Sequence, residues 1–368
     1  MNVPKLRFKE FNDEWIETKI QNVATVIGGG TPSTDEPKYW GNEINWFTPS
    51  EIGKTKYVTI SNRKISQDGL KNSSAKLLPK GTILLSSRAT VGEASILLNE
   101  AYTNQGFQSL IVNENNCNEF IYYLKYKYKR EMLIKSFGST FLEISKSNVE
   151  NIKIKIPSKE EQFMIANFLS LLDKKIELQT KKIEDLKLFK LYIRNKIFSG
   201  IKTKDKIINT LNYEQPNRYI VKSDDYLNDE NLIPVLTANK AFILGYCNED
   251  DYYNKGDVII FDDFTMDSKY VNFNFKIKSS AIKLLTQKNN NNLKYIFECL
   301  QALNLESTEH KRHYISIIQE IEIPVPDIIV QNKIANLMFM YDKKIKLESD
   351  NYSKLIELKK GLMQNMFV

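Results

Sequence analysis

Residues 156–178 read IPSKEEQFMIANFLSLLDKKIEL, and residues 325–347 read VPDIIVQNKIANLMFMYDKKIKL. The two stretches align without a gap at an offset of 169 positions, and the register continues to Phe198 and Phe367. Chance does not produce an ungapped match of this length, so the chain is a tandem of one variable block and one repeated block, each used twice. The identities include Pro157 and Pro326, Gln162 and Gln331, residues 165–167 and 334–336, and residues 173–176 and 342–345.

The repeated block carries the pattern of a long helix that needs a partner. Two series of positions, each with a period of seven residues, are apolar at eight of ten places in both copies, which is typical of a coiled coil. Ser158 and Glu161 before the first helix have the spacing of a capping box. The first copy has Ile165, Leu172, Gln179, Leu186 and Ile193, with Leu169, Ile176, Ile183, Lys190 and Ile197. The second has Ile334, Tyr341, Glu348, Leu355 and Leu362, with Met338, Ile345, Tyr352, Lys359 and Met366.

The polar interruptions of these series predict how the two helices pair. In an antiparallel pair whose facing residue numbers sum to 538, Lys190 faces Glu348 and Gln179 faces Lys359. A shift of one heptad places both lysines against apolar side chains, which costs free energy. The alternative is that both lysines extend into solvent. At about 1.5 Å per residue the paired region is a rod of about 40 Å, suited to act as a spacer.

The two variable blocks read as mixed α/β structure and resemble each other. Lys80 and Gly81 lead into an apolar strand, as Lys255 and Gly256 do in the second block. Each block ends in a late helix and a short strand before the repeated helix. We therefore predict four segments: a domain at 1–155, a spacer helix at 156–200, a second domain at 201–323, and a second spacer helix at 324–368.

Composition narrows the class of protein. The 368 residues are 42% hydrophobic and 26% charged, which is ordinary for a globular chain of two domains. No apolar run is long enough to span a membrane, and the first residues do not read as a secretory signal. The three cysteines are far apart in sequence and fit neither disulfides nor a metal cluster. We expect a cytoplasmic protein.

The net charge of +7 permits a nucleic-acid partner but does not establish one. Residues 1–155 contain 21 basic and 16 acidic residues, a balance of +5, whereas residues 201–323 contain 15 and 18, a balance of −3. Contacts to phosphates should therefore be concentrated in the first block.

Each catalytic motif that the sequence suggests lacks a required residue. Thr48 stands where a phosphate-binding loop ending at Gly53-Lys54-Thr55 needs its first glycine, and the glycines at 28–30 read as an ordinary loop. The only histidines, at 310 and 313, lack a third metal ligand nearby in sequence. Pro326-Asp327 with Asp342 and Lys344 imitates a metal-dependent nuclease, but the first copy has Ser158 in place of Asp327. Serine and aspartate at one place are two helix caps.

At these residues a family resemblance becomes clear. A variable block, the pattern I-P-x-x-x-E-Q-x-x-I-A-x-x-L-x-x-x-D-x-x-I, a second block and a similar pattern together resemble the DNA-specificity subunit of type I restriction–modification enzymes. Residues 15–33, 81–92 and 138–145 add to the likeness. The second copy departs by having Val330 in place of Glu161, and its block lacks the opening led by Trp15.

The resemblance implies an α+β fold of two mixed α/β target-recognition domains, separated by two long helices packed as an antiparallel coiled coil with pseudo-two-fold symmetry. Each domain reads one half of a split double-stranded DNA site, and the helices set the gap and dock two modification subunits. The chain itself is then not an enzyme and binds no cofactor. S-adenosylmethionine belongs to the modification subunits, and ATP and magnesium belong to restriction subunits where these are present.

The candidate DNA contacts are donors and cations on turns, because such side chains can reach base edges or phosphates. The position that matches Arg88 in the second block is Asp263, which predicts a different base preference there. In the first block the candidates are Arg88, Thr90, Asn104, Gln105, Lys135, Ser139 and Thr140. In the second block they are Thr237, Asn239, Lys240, Lys269, Lys278, Lys311, Arg312 and His313.

Two other classes of function stay open at this point. A coiled-coil scaffold that binds no nucleic acid is favoured by the acidic second block. A solo nuclease is the weaker alternative, because the motifs for it are missing. Salt-dependent, sequence-selective DNA binding excludes the scaffold, and metal-dependent cleavage by the purified chain supports the nuclease.

Overall fold

The structure is a computed structural model that describes residues 3–137, 142–238, 241–305, 314–315 and 317–368. The chain divides into two compact units. Unit 1 is formed by residues 1–178 and 352–368, and unit 2 by residues 179–351. The boundary falls inside the two long helices, so each unit contains one variable block and part of both helices.

Unit 1 begins with short strands and ends in the first long helix. Its strands are β1 (Ile16–Lys19), β2 (Ala24–Gly28), β3 (Trp40–Gly41), β4 (Ile44–Phe47), β5 (Tyr57–Val58), β6 (Lys64–Ile65), β7 (Ile83–Leu85), β8 (Ala94–Leu97), β9 (Tyr102–Thr103), β10 (Gln108–Val112) and β11 (Lys153–Ile156). Its helices are α1 (Ile20–Val23), α2 (Gln67–Lys71), α3 (Asn118–Ile134), α4 (Lys146–Glu150) and α5 (Lys159–Ser199), the last of which continues into unit 2.

Three sheets build the first block. The central five-stranded sheet has the order β2-β10-β7-β8-β5, a second sheet has the order β3-β6-β4-β9, and β1 pairs with β11. One face of the central sheet packs on α3, whose residues 120–124 are all buried. The same core takes in Trp15 and, from the residues just after the second long helix, Met366 and Phe367.

Unit 2 repeats the plan in shorter form. Its strands are β12 (Lys204–Lys206), β13 (Leu211–Glu214), β14 (Ile233–Leu236), β15 (Ile243–Cys247), β16 (Val258–Asp262), β17 (Ser268–Val271), β18 (Lys276–Ile277), β19 (Ile282–Gln287) and β20 (Glu322–Pro324). Its helices are α6 (Ile207–Thr210), α7 (Leu293–Ala302) and α8 (Ile328–Asn365), the last of which ends in unit 1.

The two blocks share one topology. The sheet β13-β19-β16-β17 of unit 2 has the same order as β2-β10-β7-β8 of unit 1, and β12 pairs with β20 as β1 pairs with β11. The predicted likeness between the strands after Gly81 and Gly256 is therefore confirmed, since these strands are β7 and β16. Mixed α/β blocks joined to two long helices agree with the predicted fold class.

A repeated glutamine connects each long helix to its block. Gln162 Nε2 donates to Asn116 Oδ1 at 2.9 Å and to the carbonyl of Pro157, while its Oε1 accepts from the amide of Cys117. In unit 2, Gln331 makes the same three contacts, with Asn291 Oδ1, the carbonyl of Pro326 and the amide of Asn292. Both glutamines are buried. The matched motif residue is thus a clamp on the segment that starts α3 or α7.

The second copy has Val330 in place of Glu161 and lacks the opening led by Trp15, and one set of contacts accounts for both differences. Glu161 accepts two hydrogen bonds from the guanidinium of Arg7 and one from the indole Nε1 of Trp15. These contacts raise the pKa of Arg7. The second block lacks the opening segment that supplies Arg7 and Trp15. A carboxylate at the position of Val330 would therefore have no equivalent cation to bind. The expected capping box is only half formed: Ser158 accepts from the amide of Glu161, whose own side chain turns to Arg7.

The long helices run antiparallel within each unit, as predicted, but the predicted register is wrong. In unit 2, Gln179 binds Glu348 rather than Lys359, with Nε2 at 2.7 Å from Oε2. Lys190 binds Asp342 at 2.7 Å rather than Glu348. In unit 1, Lys359 binds Asp173. Paired residue numbers total 527 to 532 instead of 538, a shift of about one heptad.

The reason lies outside the helix pair. Lys190 also binds Glu298 of α7 at 2.7 Å, and Arg194 lies 3.5 Å from the same carboxylate. Glu298 is only 1% exposed, and a buried carboxylate needs cations close by. The position of helix α5 therefore depends on Glu298, an acidic residue of the second block. The heptad patterns of the two long helices do not include this residue.

Candidate nucleic-acid interface

Three of the predicted DNA-contact segments of the first block lie side by side. The loop between β7 and β8 carries Arg88 and Thr90, and the amide of Ser87 in this loop donates to the carbonyl of Gly106 at 2.8 Å. The amide of Ile144 donates to the carbonyl of Ser87, and Phe137 pairs with Glu143. Residues 86–90, 104–106, 137 and 142–144 therefore form one edge of unit 1, which we call the reading edge.

Most of the described side chains predicted as DNA contacts in the first block already have a polar partner. Arg88 Nε lies 2.8 Å from Glu143 Oε1, and both side chains are 43% exposed. Asn104 Oδ1 accepts from the amide of Gly106, and Thr31 donates to Gln105. Lys135 forms a helical ion pair with Glu131. These bonds hold the side chains in place, and at exposed pairs such as Arg88–Glu143 they can be exchanged for bonds to DNA at small cost.

Two predicted DNA contacts in the first block and five in the second lie outside the described residues. They are Ser139 and Thr140, and Asn239, Lys240, Lys311, Arg312 and His313.

The hairpin loops at matching places in the two blocks share a strained backbone. Ala89, between β7 and β8, has φ +59°, and Met266, between β16 and β17, has φ +61°. Residues with a side chain rarely adopt this left-handed conformation, which costs about 1–3 kcal/mol and is concentrated at functional sites. The same element of each block is thus held in a defined, unusual shape.

The glycines at 28–30 serve close backbone packing, as an ordinary loop would require. A Cβ on Gly29 would lie 2.1 Å from the carbonyl oxygen of Asn104, and one on Gly30 would lie 2.4 Å from the amide nitrogen of Ala75. The loop is thereby packed against the segment that carries Asn104.

Three of the predicted DNA contacts of the second block lie within the described residues. Thr237 is buried, and its amide donates to the carbonyl of Phe242. Lys269 lies on β17 opposite Ile260. Lys278 donates to Asp224, and this hydrogen bond raises the pKa of Lys278.

Asp263, the position aligned with Arg88, points into the second block and not toward solvent. Its side chain is 2% exposed, Oδ1 accepts from the amide of Tyr314 at 2.8 Å, and Oδ2 lies 3.6 Å from Lys283 Nζ. Alignment by the preceding glycine turn gives the position in the loop but not the direction of the side chain. A carboxylate beside a buried lysine points inward because the ion pair holds it there.

One cluster beside the reading edge was not predicted from sequence. Trp40, Trp46 and Arg63 lie together on the sheet formed by β3, β6, β4 and β9. The signal available in the sequence was that all three tryptophans of the chain fall in the first block.

The residues that imitate a nuclease have structural roles. Asp327 Oδ1 accepts from the amide of Val330 at 3.0 Å and so caps α8, as Ser158 caps α5. Asp342 binds Lys190. Within the described ranges no cluster of three or more His, Cys, Asp or Glu side chains is arranged to hold a metal ion. In the same part of the chain, no helix combines the length and apolarity that crossing a membrane requires.

The chain is similar to known specificity subunits in sequence. It is 39% identical over 219 residues to the type I restriction enzyme MjaIX specificity subunit of Methanocaldococcus jannaschii, covering 57% of this chain and 50% of that protein. It is 44% identical over 140 residues to the EcoR124I/EcoR124II specificity subunit of Escherichia coli, covering 34% of each. The chain thus spans about half or less of the length of these curated relatives.

The fold has solved counterparts. The crystal structure of the S subunit of the type I restriction–modification system from M. genitalium superposes with a TM-score of 0.67 at 18% identity, covering 100% of this chain and 99% of that one. A chain from a structure on complex assembly and conformational transition of the type I system gives a TM-score of 0.59 at 14% identity.

The sequence model for the type I restriction modification DNA specificity domain matches residues 12–188 and again residues 197–358. These two matches cover most of the chain and divide it where the internal repeat does. The shared sheet order of the blocks and the paired glutamine clamps are the structural counterpart of that double match. The chain belongs to the family of type I restriction–modification DNA specificity domains.

Proposed function

We propose that this chain is the sequence-specific DNA-binding subunit of a type I restriction–modification complex, in which each block reads one half of a bipartite site. The observation that carries the proposal is the duplicated hairpin loop. Ala89 and Met266 give the two loops the same rare backbone conformation, while the residues around them differ. One fold used twice with different loop side chains is suited to read two different half-sites.

The reading edge supports DNA contact in the first block. Arg88, Asn104 and Gln105 offer the donors that can bind guanine and adenine bidentately in the major groove. They lie on loops fixed by backbone hydrogen bonds from Ser87 and Ile144. Fixed donors lose little conformational entropy on binding, which favours recognition of specific bases.

The outer faces of the helices support two copies of one docking partner. In unit 1, Leu171 and Leu178 of α5 are 69% and 58% exposed. Their repeat equivalents in unit 2, Met340 and Leu347 of α8, are 68% and 59% exposed. Large apolar side chains at heptad spacing next to a coiled-coil seam are a cost in water unless another protein covers them. We name these pairs the first and second docking pair, and we propose a modification subunit for each.

The catalytic chemistry then comes from the partners. We propose that the modification subunits bind S-adenosylmethionine and methylate adenine, and that restriction subunits, where present, use ATP and magnesium. The chain described here contributes selection of the site and the spacing between its halves.

The test is a genome-wide methylation map. Cells express the chain with its modification subunit, either unchanged or with residues 201–323 replaced by the block of another specificity subunit. The expected result is a bipartite N6-methyladenine motif in which the replacement changes one half and leaves the other. Absence of methylation by the unchanged pair, or a continuous motif, refutes the split-site function.

A further inference from the structure

An arginine in unit 1 is stacked on a pair of tryptophans. The guanidinium carbon of Arg63 lies 3.7 Å from the ring centroid of Trp40 and 5.7 Å from that of Trp46. The two indoles meet edge to face, with centroids 5.2 Å apart. Cation–π contact fixes the plane of the guanidinium and leaves its N–H edge directed away from the rings.

The platform under this arginine is itself held rigidly. Trp46 is buried, and its Nε1 donates to the carbonyl of Gly30 at 2.9 Å. Trp40 Nε1 donates to the carbonyl of Ser33 at 3.2 Å. Both indoles thus carry an apolar face and a satisfied polar tip, as rings in a fixed position require. The side chain of Arg63 is exposed on top of them.

Arg63 differs from three of the stacked lysines, Lys56, Lys255 and Lys359, in its charge balance. Lys56 stacks on Tyr57 and Tyr123 but binds Glu119, Lys255 stacks on Tyr219 but binds Glu214, and Lys359 stacks on Tyr123 but binds Asp173. Throughout the described part of the chain, no carboxylate forms an ion pair with Arg63. Its stacked, oriented charge is therefore available to an anion or an acceptor from outside.

The stack adjoins the reading edge. Trp46 lies on β4, which pairs in parallel with β9 through Trp46 and Tyr102. Strand β9 runs directly into Asn104 and Gln105. The loop that accepts both indole hydrogen bonds is linked to the same segment, because the amide of Gly30 donates to the carbonyl of Thr103 at 2.9 Å.

We propose that Arg63, held flat on Trp40 and Trp46, is a DNA contact of the first block. It donates paired N–H hydrogen bonds to two acceptors, which are either the oxygens of one phosphodiester or O6 and N7 of a guanine. Both ligands present two acceptors in the geometry of the guanidinium fork. This inference rests on the proposed function of the chain and names one of its contacts.

The contact also explains an asymmetry between the blocks. The first block has a charge of +5 and contains all three tryptophans, and the second block has a charge of −3 and none. The second block has no indole, which is the aromatic ring that binds a stacked cation best. The first block should therefore supply more of the binding energy than the second.

The experiment uses the complex with its modification subunits and a fluorescent duplex that carries the mapped site. Binding is measured by anisotropy between about 50 and 200 mM salt, the range in which phosphate contacts change affinity most. The variants are Arg63→Ala, Arg63→Lys, which keeps the charge but not the planar fork, and Lys153→Ala. Lys153 is an exposed cation of β11 paired with Glu17. Its substitution removes the same charge at a position far in sequence from Trp40 and Trp46.

Arg63→Ala should weaken binding by about tenfold, Arg63→Lys by less, and Lys153→Ala hardly at all. If the ligand is a phosphodiester, the loss of affinity is the same for every DNA sequence. The negative slope of log K against log salt then becomes shallower by about 0.9. If the ligand is a guanine, the slope stays and the preference at one base pair is relaxed.

Unchanged affinity, salt slope and base preference in Arg63→Ala overturn the inference. A wild-type complex that does not select its site refutes the proposed function instead, so the two failures are distinguishable. Far-ultraviolet circular dichroism and the melting temperature show that each variant keeps its fold.

Discussion

At the scale of single residues, Gln162 and Gln331 each hold the start of a helix of their block through three hydrogen bonds. The match of Gln162 to Gln331 was visible in the sequence, but its purpose was not, because its three partners lie 5 to 46 positions away. The structure shows each side chain satisfying an amide, a carbonyl and an asparagine at the start of the block's own helix.

Removal of this clamp should destabilise the protein. Gln331→Ala leaves the amide of Asn292 and the carbonyl of Pro326 without their buried partner, which should lower the free energy of unfolding by about 1–3 kcal/mol. Urea unfolding followed by circular dichroism measures the change. Lys333→Ala, at an exposed position two residues on, should stay within about 0.5 kcal/mol of wild type. Equal stability of the two variants would show that the clamp contributes nothing.

Lys125 on α3 is a second residue whose environment could not be read from sequence. It lies in a run of alternating lysines and tyrosines at 125–129, yet Lys125 is only 4% exposed. Its Nζ donates to the carbonyl of Ala94 and lies 4.3 Å from the ring of Tyr122. Burial lowers the pKa of Lys125 to about 8, while Glu93 nearby partly opposes that shift.

This burial gives a pH-dependent prediction. Between pH 8 and 10.5 the unfolded chain binds the Lys125 proton more tightly than the folded chain, so this residue makes stability rise with pH across that window. Lys125→Met removes the cost of burying the charge and should raise the free energy of unfolding near pH 7 by about 1–3 kcal/mol. The advantage should shrink as the pH rises to 10.5. A difference that is constant with pH would contradict this account.

At the scale of elements, the long helices were the most predictable part and their register the least. An unbroken seven-residue period fixes the presence, length and apolar seam of α5 and α8, and the repeat makes an antiparallel pair natural. Register depends on a few polar side chains, and one of these, Lys190, is bound by Glu298 of the second block. Information from α7 cannot be found in the heptads themselves.

A double-mutant cycle tests the observed register. Lys190→Ala and Asp342→Ala should be coupled by about 0.5–1 kcal/mol in urea unfolding, the range for partly exposed ion pairs. Lys190→Ala and Glu348→Ala should be additive, because Glu348 is engaged by Gln179 and Lys182. Coupling of Lys190 to Glu348, with none to Asp342, would restore the register that sums to 538.

At the scale of the whole molecule, the internal repeat predicted most of the architecture. Two blocks with one sheet order follow from two copies of the strand after Gly81 and Gly256, and the double family match agrees with that division. The proposed DNA contacts were less predictable, because side chains on loops are placed by hydrogen bonds from distant segments. Asp263 turned inward to Lys283 for this reason, and Arg63 became notable only once the tryptophans were seen beneath it.

The repeat also makes a prediction about stoichiometry that no single block could make. If the two docking pairs each hold one modification subunit, Leu171→Asp with Leu178→Asp should remove one copy, and Met340→Asp with Leu347→Asp should remove the other. A buried leucine or methionine contributes about 1.5–3 kcal/mol, so a charged pair should weaken one interface by well over tenfold. Native mass spectrometry at micromolar concentration should then show one partner per chain in place of two, and none when all four residues are changed. Lys181→Asp, an exposed change on the same helix α5 outside either pair, should leave both partners bound. Two bound partners in every variant would mean that the duplicated apolar residues are not the docking faces, and that the modification subunits attach through the blocks themselves.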